Sequence, residues 1–155
     1  MLGRALAALI IIITAGFTAA ATAGTASAVT PAQACATSTI IKITSFDFNP
    51  ASVTPGNSST ATLTALNCTA QSQQTTETWS GRFTGPSSGT IPPGCPVIDP
   101  IAFGVSFPAH GTVSRSVGYL VPASCTATEL TVTADIRGTN GTLLAEGTAV
   151  LKIVQ

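Results

Sequence analysis

Charge is the property this sequence has least of. Its 155 residues include six basic and six acidic side chains, for a formal net charge of zero. A nucleic-acid surface needs clustered Lys and Arg to displace counterions from phosphates. No such cluster exists, so no nucleic-acid partner is expected. Histidine occurs once, as His110 in Pro-Ala-His-Gly, and no Cys-x-x-Cys pair is present. That removes the usual zinc-ligand spacings. A Ser-His-acid relay would have to run through His110, yet no serine lies in a G-x-S-x-G elbow. The acids Asp47, Glu77, Asp99, Glu129, Asp135 and Glu146 are scattered rather than paired, unlike the carboxylates of a glycosidase. No glycine-rich phosphate cradle follows a strand. The expectation is a protein that is not an enzyme, with no cofactor and no metal site.

Long apolar runs are missing as well. The strongest, Ala5 to Ile13, follows Arg4 and gives way to small residues. A spanning helix needs about 20 strongly apolar residues. Ala26-Ser27-Ala28 fits a small-x-small cleavage site, and the three-part layout is that of a secretory signal peptide over residues 1–28. The chain is then expected to be secreted and extracellular, with no membrane contact after cleavage. Residues 29–37 form a lead and residues 38–155 one domain. A second cut after Ala34 would leave Cys35 first, but Ala32-Gln33 is a poor lipoprotein signal.

Beta-branched residues are plentiful, cut at short intervals by Pro and Gly. Helical periodicity is absent, and the pattern predicts an all-β sandwich or barrel. Ile41 and Ile43, then Phe46 and Phe48, switch parity near Thr44-Ser45, which predicts a bulge. Ala61, Leu63 and Ala65 share one face. Trp79 and Phe83 share another with Glu77, which is expected either to lie at the rim of the core or to pair with Arg115, in a structural role in both cases. Ile101, Phe103, Val105 and Phe107 alternate strictly. Val113, Val117, Tyr119 and Val121 alternate around Arg115. Leu130, Val132, Ala134 and Ile136 form the sixth run. Leu143, Ala145, Ala149, Leu151 and Ile153 form the seventh, behind a turn at Asn140-Gly141 that predicts a type I′ hairpin. The result is a seven-stranded, immunoglobulin-like antiparallel sandwich with one long loop from Gly85 to Pro100.

Four cysteines in an exported chain predict two disulfides. Cys68 has the parity of Thr60, Thr62 and Thr64. Cys125 has the parity of Glu129 and Thr131. Both point away from the core faces, so neither suits a bond through the interior. The start of the first strand and the end of the second meet at one end of a sandwich. The end of the third and the start of the sixth meet at the other. Of three connectivities, this selects Cys35–Cys68 and Cys95–Cys125, all four sulfurs acting as staples at the rims. Asn57-Ser58-Ser59, Asn67-Cys68-Thr69 and Asn140-Gly141-Thr142 match the N-glycosylation pattern. In so Ser- and Thr-rich a chain they are read as coincidence, two of them lying where turns favour asparagine.

The run NPASVTPGNSSTATLTALNCT resembles bacterial secreted immunoglobulin-like modules of the cell-adhesion-related type, through Asn49-Pro50, Val53, Gly56 and Asn67. The resemblance implies an extracellular binding or packing module with no catalytic site. Its partner would be a protein or another envelope component, and the module itself a monomer. A second, local likeness is GCPVIDP, Gly94 to Pro100, which is similar to the reactive loop of secreted subtilisin inhibitors. It implies an interaction loop of Pro96, Val97, Ile98 and Asp99, held by Cys95, with Val97-Ile98 as the exposed bond.

Overall fold

The computed structural model describes residues 35–85 and 90–155. The signal peptide expected over residues 1–28 lies outside them, as does most of the lead. The described chain is all β, with eight strands and no helix. They are β1 (Ile41–Asn49), β2 (Ser52–Val53), β3 (Ser58–Asn67), β4 (Gln73–Thr84), β5 (Ile98–Phe107), β6 (Thr112–Leu120), β7 (Glu129–Gly138) and β8 (Leu143–Ile153). Seven are the expected runs. The eighth, β2, has two residues between Pro50 and Pro55 and pairs in parallel with Lys152 and Ile153 of β8. So short a piece leaves no alternation to read.

Two sheets form, ordered β1-β3-β6 and β2-β8-β7-β4-β5. In immunoglobulin terms the first three-strand set is A-B-E. The second carries G, F and C, with β5 added beside C instead of extending the first sheet. Inward residues of both sheets interdigitate, as alternation requires. Ala61 and Leu63 of β3 lie in one core cluster with Trp79 and Phe83 of β4, Leu130, Val132, Ala134 and Ile136 of β7, and Leu151 of β8. Phe46 meets Trp79 edge-on at 4.9 Å between ring centres. The parity switch in β1 is a register shift between Ile43 and Ser45.

Three expectations about the strands and their connections need correction. Leu143 is exposed rather than inward. The β7–β8 register shifts between Ile136 and Arg137, so Leu144 packs against the core in place of Leu143; further along β8, the Ile43 side chain fills the space a Cβ on Gly147 would need. The β7–β8 hairpin is real, but it is not type I′. Gly141 alone has positive φ, at 80°, and Gly141 N–H donates to Gly138 O at 2.9 Å while Gly138 N–H donates to Thr142 O at 2.9 Å. That is a type I turn followed by a left-handed glycine, which asks nothing unusual of Asn140. The long loop also ends sooner than expected, because β5 begins at Ile98.

Both disulfides form as expected, Cys35–Cys68 and Cys95–Cys125. The placement of one sulfur differs. Cys125 is 1% exposed and belongs to the core cluster. It lies in the turn between β6 and β7, where strand parity says nothing about direction. Its N–H donates to Pro122 O at 3.0 Å, and this turn carries the side chain inward beneath the rim.

Candidate functional site

The two ends of the sandwich differ in what they present. At the Cys95–Cys125 end, β4 closes with Gly81-Arg82-Phe83-Thr84. Phe83 turns into the core. Gly81 faces Ile98 across the ladder, and a Cβ there would lie 2.8 Å from Ile98 Cδ1. The missing side chain is what lets Ile98 lie down on β4. The loop ahead of β5 is stitched to the β6–β7 turn. Thr126 N–H donates to Pro93 O at 3.0 Å, the Thr126 hydroxyl reaches the same oxygen at 3.2 Å, and the disulfide locks the next turn. Gly94 has φ +73°, and a Cβ on it would strike Ser124 O at 1.9 Å. Only glycine fits there.

This frame holds apolar side chains out in water. Val97 is 71% exposed and Ile91 51%. Between them runs an open groove of about 310 Å³, lined by Gly81, Arg82, Phe83, Ile91, Pro96, Val97 and Ile98. Of the four loop residues singled out from sequence, Pro96 and Val97 stand out in solvent, and Asp99 is exposed on β5. Ile98 is half-buried and packed on the core. The Val97-Ile98 bond therefore has one side free and one side tied into the sheet. Sequence reasoning missed Ile91 and the floor contributed by β4. Ile91 lies six residues before Val97 in the same loop, but no strand or helix period links the two across Pro92, Pro93 and Gly94. Its one visible signal is an isolated apolar residue ahead of Pro92-Pro93.

At the Cys35–Cys68 end the central element is polar. Asn67 is fully buried. Its amide donates to Gln71 O at 2.7 Å and Pro108 O at 2.8 Å. Its carbonyl accepts from Thr69 N–H and the Thr69 hydroxyl, both at 2.9 Å. One side chain thus ties the β3–β4 turn to the β5–β6 turn. The amide nitrogen of this glycosylation-pattern asparagine is occupied and sealed in the folded protein. His110 sits in the second turn with φ 52°, donating its N–H to Thr69 O at 2.9 Å. A shallow cavity of about 520 Å³ beside it is lined by Cys35, Ala36, Thr37, Thr39, Cys68 and Thr69. No carboxylate lines that cavity among the described residues.

A third feature lies between the sheets. Glu77 is 1% exposed. Its Oε1 accepts from Trp79 Nε1–H at 2.5 Å and lies 3.5 Å from Arg115 Nε, the pairing expected from sequence. The Arg115 guanidinium stacks over Phe103 at 4.3 Å, bridging from β6 to β5. Arg115 Nε makes no hydrogen bond among the described residues, so the charge pair is incompletely satisfied. Burial accordingly pushes the Glu77 carboxyl above its usual 4.5, against the opposing pull of the Trp79 hydrogen bond and the Arg115 charge. Burial also pushes the Tyr119 hydroxyl up to about 12.

No protein-family model matches the chain, and no curated protein matches it. Solved structures do. The chain is similar to part of the alkylpurine DNA glycosylase AlkC of Pseudomonas fluorescens, with TM-score 0.53 and 13% identity, covering 80% of this chain and 33% of that one. It is similar to the sporulation control protein Spo0M of Bacillus subtilis, with TM-score 0.50 and 13% identity, covering 75% of this chain and 50% of that one. The chain thus spans a third and a half of these two proteins. A looser likeness joins it to a PapD-like domain of human CEP192, at TM-score 0.44 and 12% identity, covering 76% of this chain and 87% of that one. At such identities the likeness is one of fold.

Proposed function

We propose that the chain is an exported, non-catalytic binding module whose contact surface is the rim clamped by Cys95–Cys125. The observation that carries this is the exposure of Val97 and Ile91 beside an apolar groove, on a loop held by the Cys95–Cys125 bond and by the Thr126 hydrogen bonds to Pro93 O. Exposed apolar side chains on a rigid support mark contact surfaces, and a loop already ordered loses little entropy on binding. The occupant is an apolar segment of a partner protein. Among the described residues Arg82 is the sole charge lining the groove, so that segment is neutral or carries one carboxylate. Two disulfides suit an oxidising compartment outside the cytoplasm.

A photo-crosslinking residue at Val97, with a control at Thr133 on the polar outer face, tests the reading in envelope and culture proteins of the producing cell. A discrete adduct at 97 that is absent at 133 and competed by unmodified protein is expected. Equal yields at both positions overturn it. The protease-inhibitor alternative keeps one supporting observation, the protrusion of Val97 from a disulfide-held loop. It predicts that excess purified protein silences a subtilisin-like or trypsin-like protease and that Val97→Asp abolishes the effect. Full residual protease activity ends it.

A further inference from the structure

Sheet edges are the places where a sandwich can take on another strand, and proteins blunt them with charge, proline, bulges or shortness. Three edges here are blunted. β1 carries a bulge at Ile43/Ser45 and the charges Lys42 and Asp47. β5 carries Asp99 and Pro100, which together oppose one residue of β4 in a bulge of β5 itself. β2 is two residues long, and beyond it the same edge is formed by β8, which carries Glu146 and a bulge at the Ile136/Arg137 register shift. β6 has none of these devices. It runs nine residues, pairs with β3 without a register shift, and contains no proline. Its one charge, Arg115, points inward over Phe103. No described residue pairs with its outer edge.

We propose that this edge pairs with the same edge of a second copy of the chain, antiparallel and centred on Ser116. The register follows from β6 itself. Side chains facing each other across an antiparallel pair must lie on the same side of the sheet, so the two-fold axis must pass through a residue. An axis at Arg115 sets two guanidinium groups directly opposite each other, which is destabilising. An axis at Ser116 is the midpoint of Thr112–Leu120 and uses the whole strand. It sets Arg115 opposite Val117 of the second copy and Ser114 opposite Gly118. The outer face of the joint is then small and uncharged. It continues a hydroxyl ladder already present, in which Thr62 Oγ1 and Thr64 Oγ1 lie 2.9 Å from Ser116 Oγ and Ser114 Oγ. A partner strand without outward charge is what such an edge accepts, and β6 is one. Two three-stranded sheets become one of six, with the two clamped rims at opposite ends.

Sedimentation of the purified oxidised protein, from about 1 µM to about 1 mM to cover weak to moderate dissociation constants, tests this. Wild type is expected to pass from one mass to twice that mass. Ser116→Lys and Ser116→Glu, each placing two like charges on the axis, are expected to stay monomeric, and an equimolar mixture of the two to dimerise again. The near-ultraviolet signal of the buried Trp79 checks that each variant is folded. A wild type that remains monomeric throughout overturns the proposal. So does a Ser116→Lys protein that dimerises as well as wild type, or a mixture that does not dimerise.

Discussion

The two ends of this sandwich carry the same covalent device and opposite non-covalent ones. Each disulfide spans a similar stretch, 33 residues for Cys35–Cys68 and 30 for Cys95–Cys125, so loop-closure entropy treats them nearly alike. At the first end the sulfurs lie outside the core, and a buried amide, Asn67, organises the turns. At the second end Cys125 is core, and the turns hold apolar groups out in water. At the first end the polar groups of Asn67 are satisfied internally. The second is clamped by its disulfide and leaves Val97 and Ile91 exposed, which is why we propose it as the contact surface.

Removing each disulfide is the strongest way to break this contrast. Cys95→Ala with Cys125→Ala should cost about 4–5 kcal/mol, because a buried contact is lost along with the cross-link. Cys35→Ala with Cys68→Ala should cost about 3 kcal/mol. Urea midpoints of the two double variants decide it, and equal losses would show that the burial of Cys125 carries no weight. Asn67→Ala should follow at about 3 kcal/mol, since it orphans Pro108 O, Gln71 O and Thr69 N–H together. If it costs under about 1 kcal/mol, water replaces the amide and the first end is not internally satisfied.

The smallest effect separates both ends from the middle. Glu77 titrates near 4.5 when unfolded and higher when folded. The folded state therefore binds its proton more tightly. The stability this confers is fully present below 4.5 and is lost as pH rises through the folded value. Glu77→Gln, which can still accept from Trp79, should flatten that part of the stability-against-pH curve. An unchanged slope in the variant would assign it to another group.

Much of this was legible in the sequence where a local rule applied. The parity switch at Thr44-Ser45 gave away the bulge because β-strand period is fixed at two. The disulfide pairing could be read because strand ends in an antiparallel sandwich alternate between two rims. The Glu77–Arg115 pair showed itself as two charges at inward positions. What escaped lacked such a rule. Cys125 sits in a turn, so its burial is set by backbone direction there and not by alternation. Asn140-Gly141 fits two hairpin types, and only the hydrogen bonds between Gly138, Gly141 and Thr142 distinguish them. The groove joins β4 to the loop that carries Ile91 and Val97, and strand and loop meet only through tertiary folding.

The sealing of Asn67 also bears on how the molecule can be made. A host that attaches sugar to emerging chains reads Asn67-Cys68-Thr69 before the β3–β4 and β5–β6 turns have closed over it. A glycan on that nitrogen would replace the proton shared with Gln71 or Pro108 and hold the two turns apart. Production through yeast or mammalian secretion should therefore yield a misassembled fraction carrying sugar at this position, whereas a bacterial periplasm should deliver the protein whole.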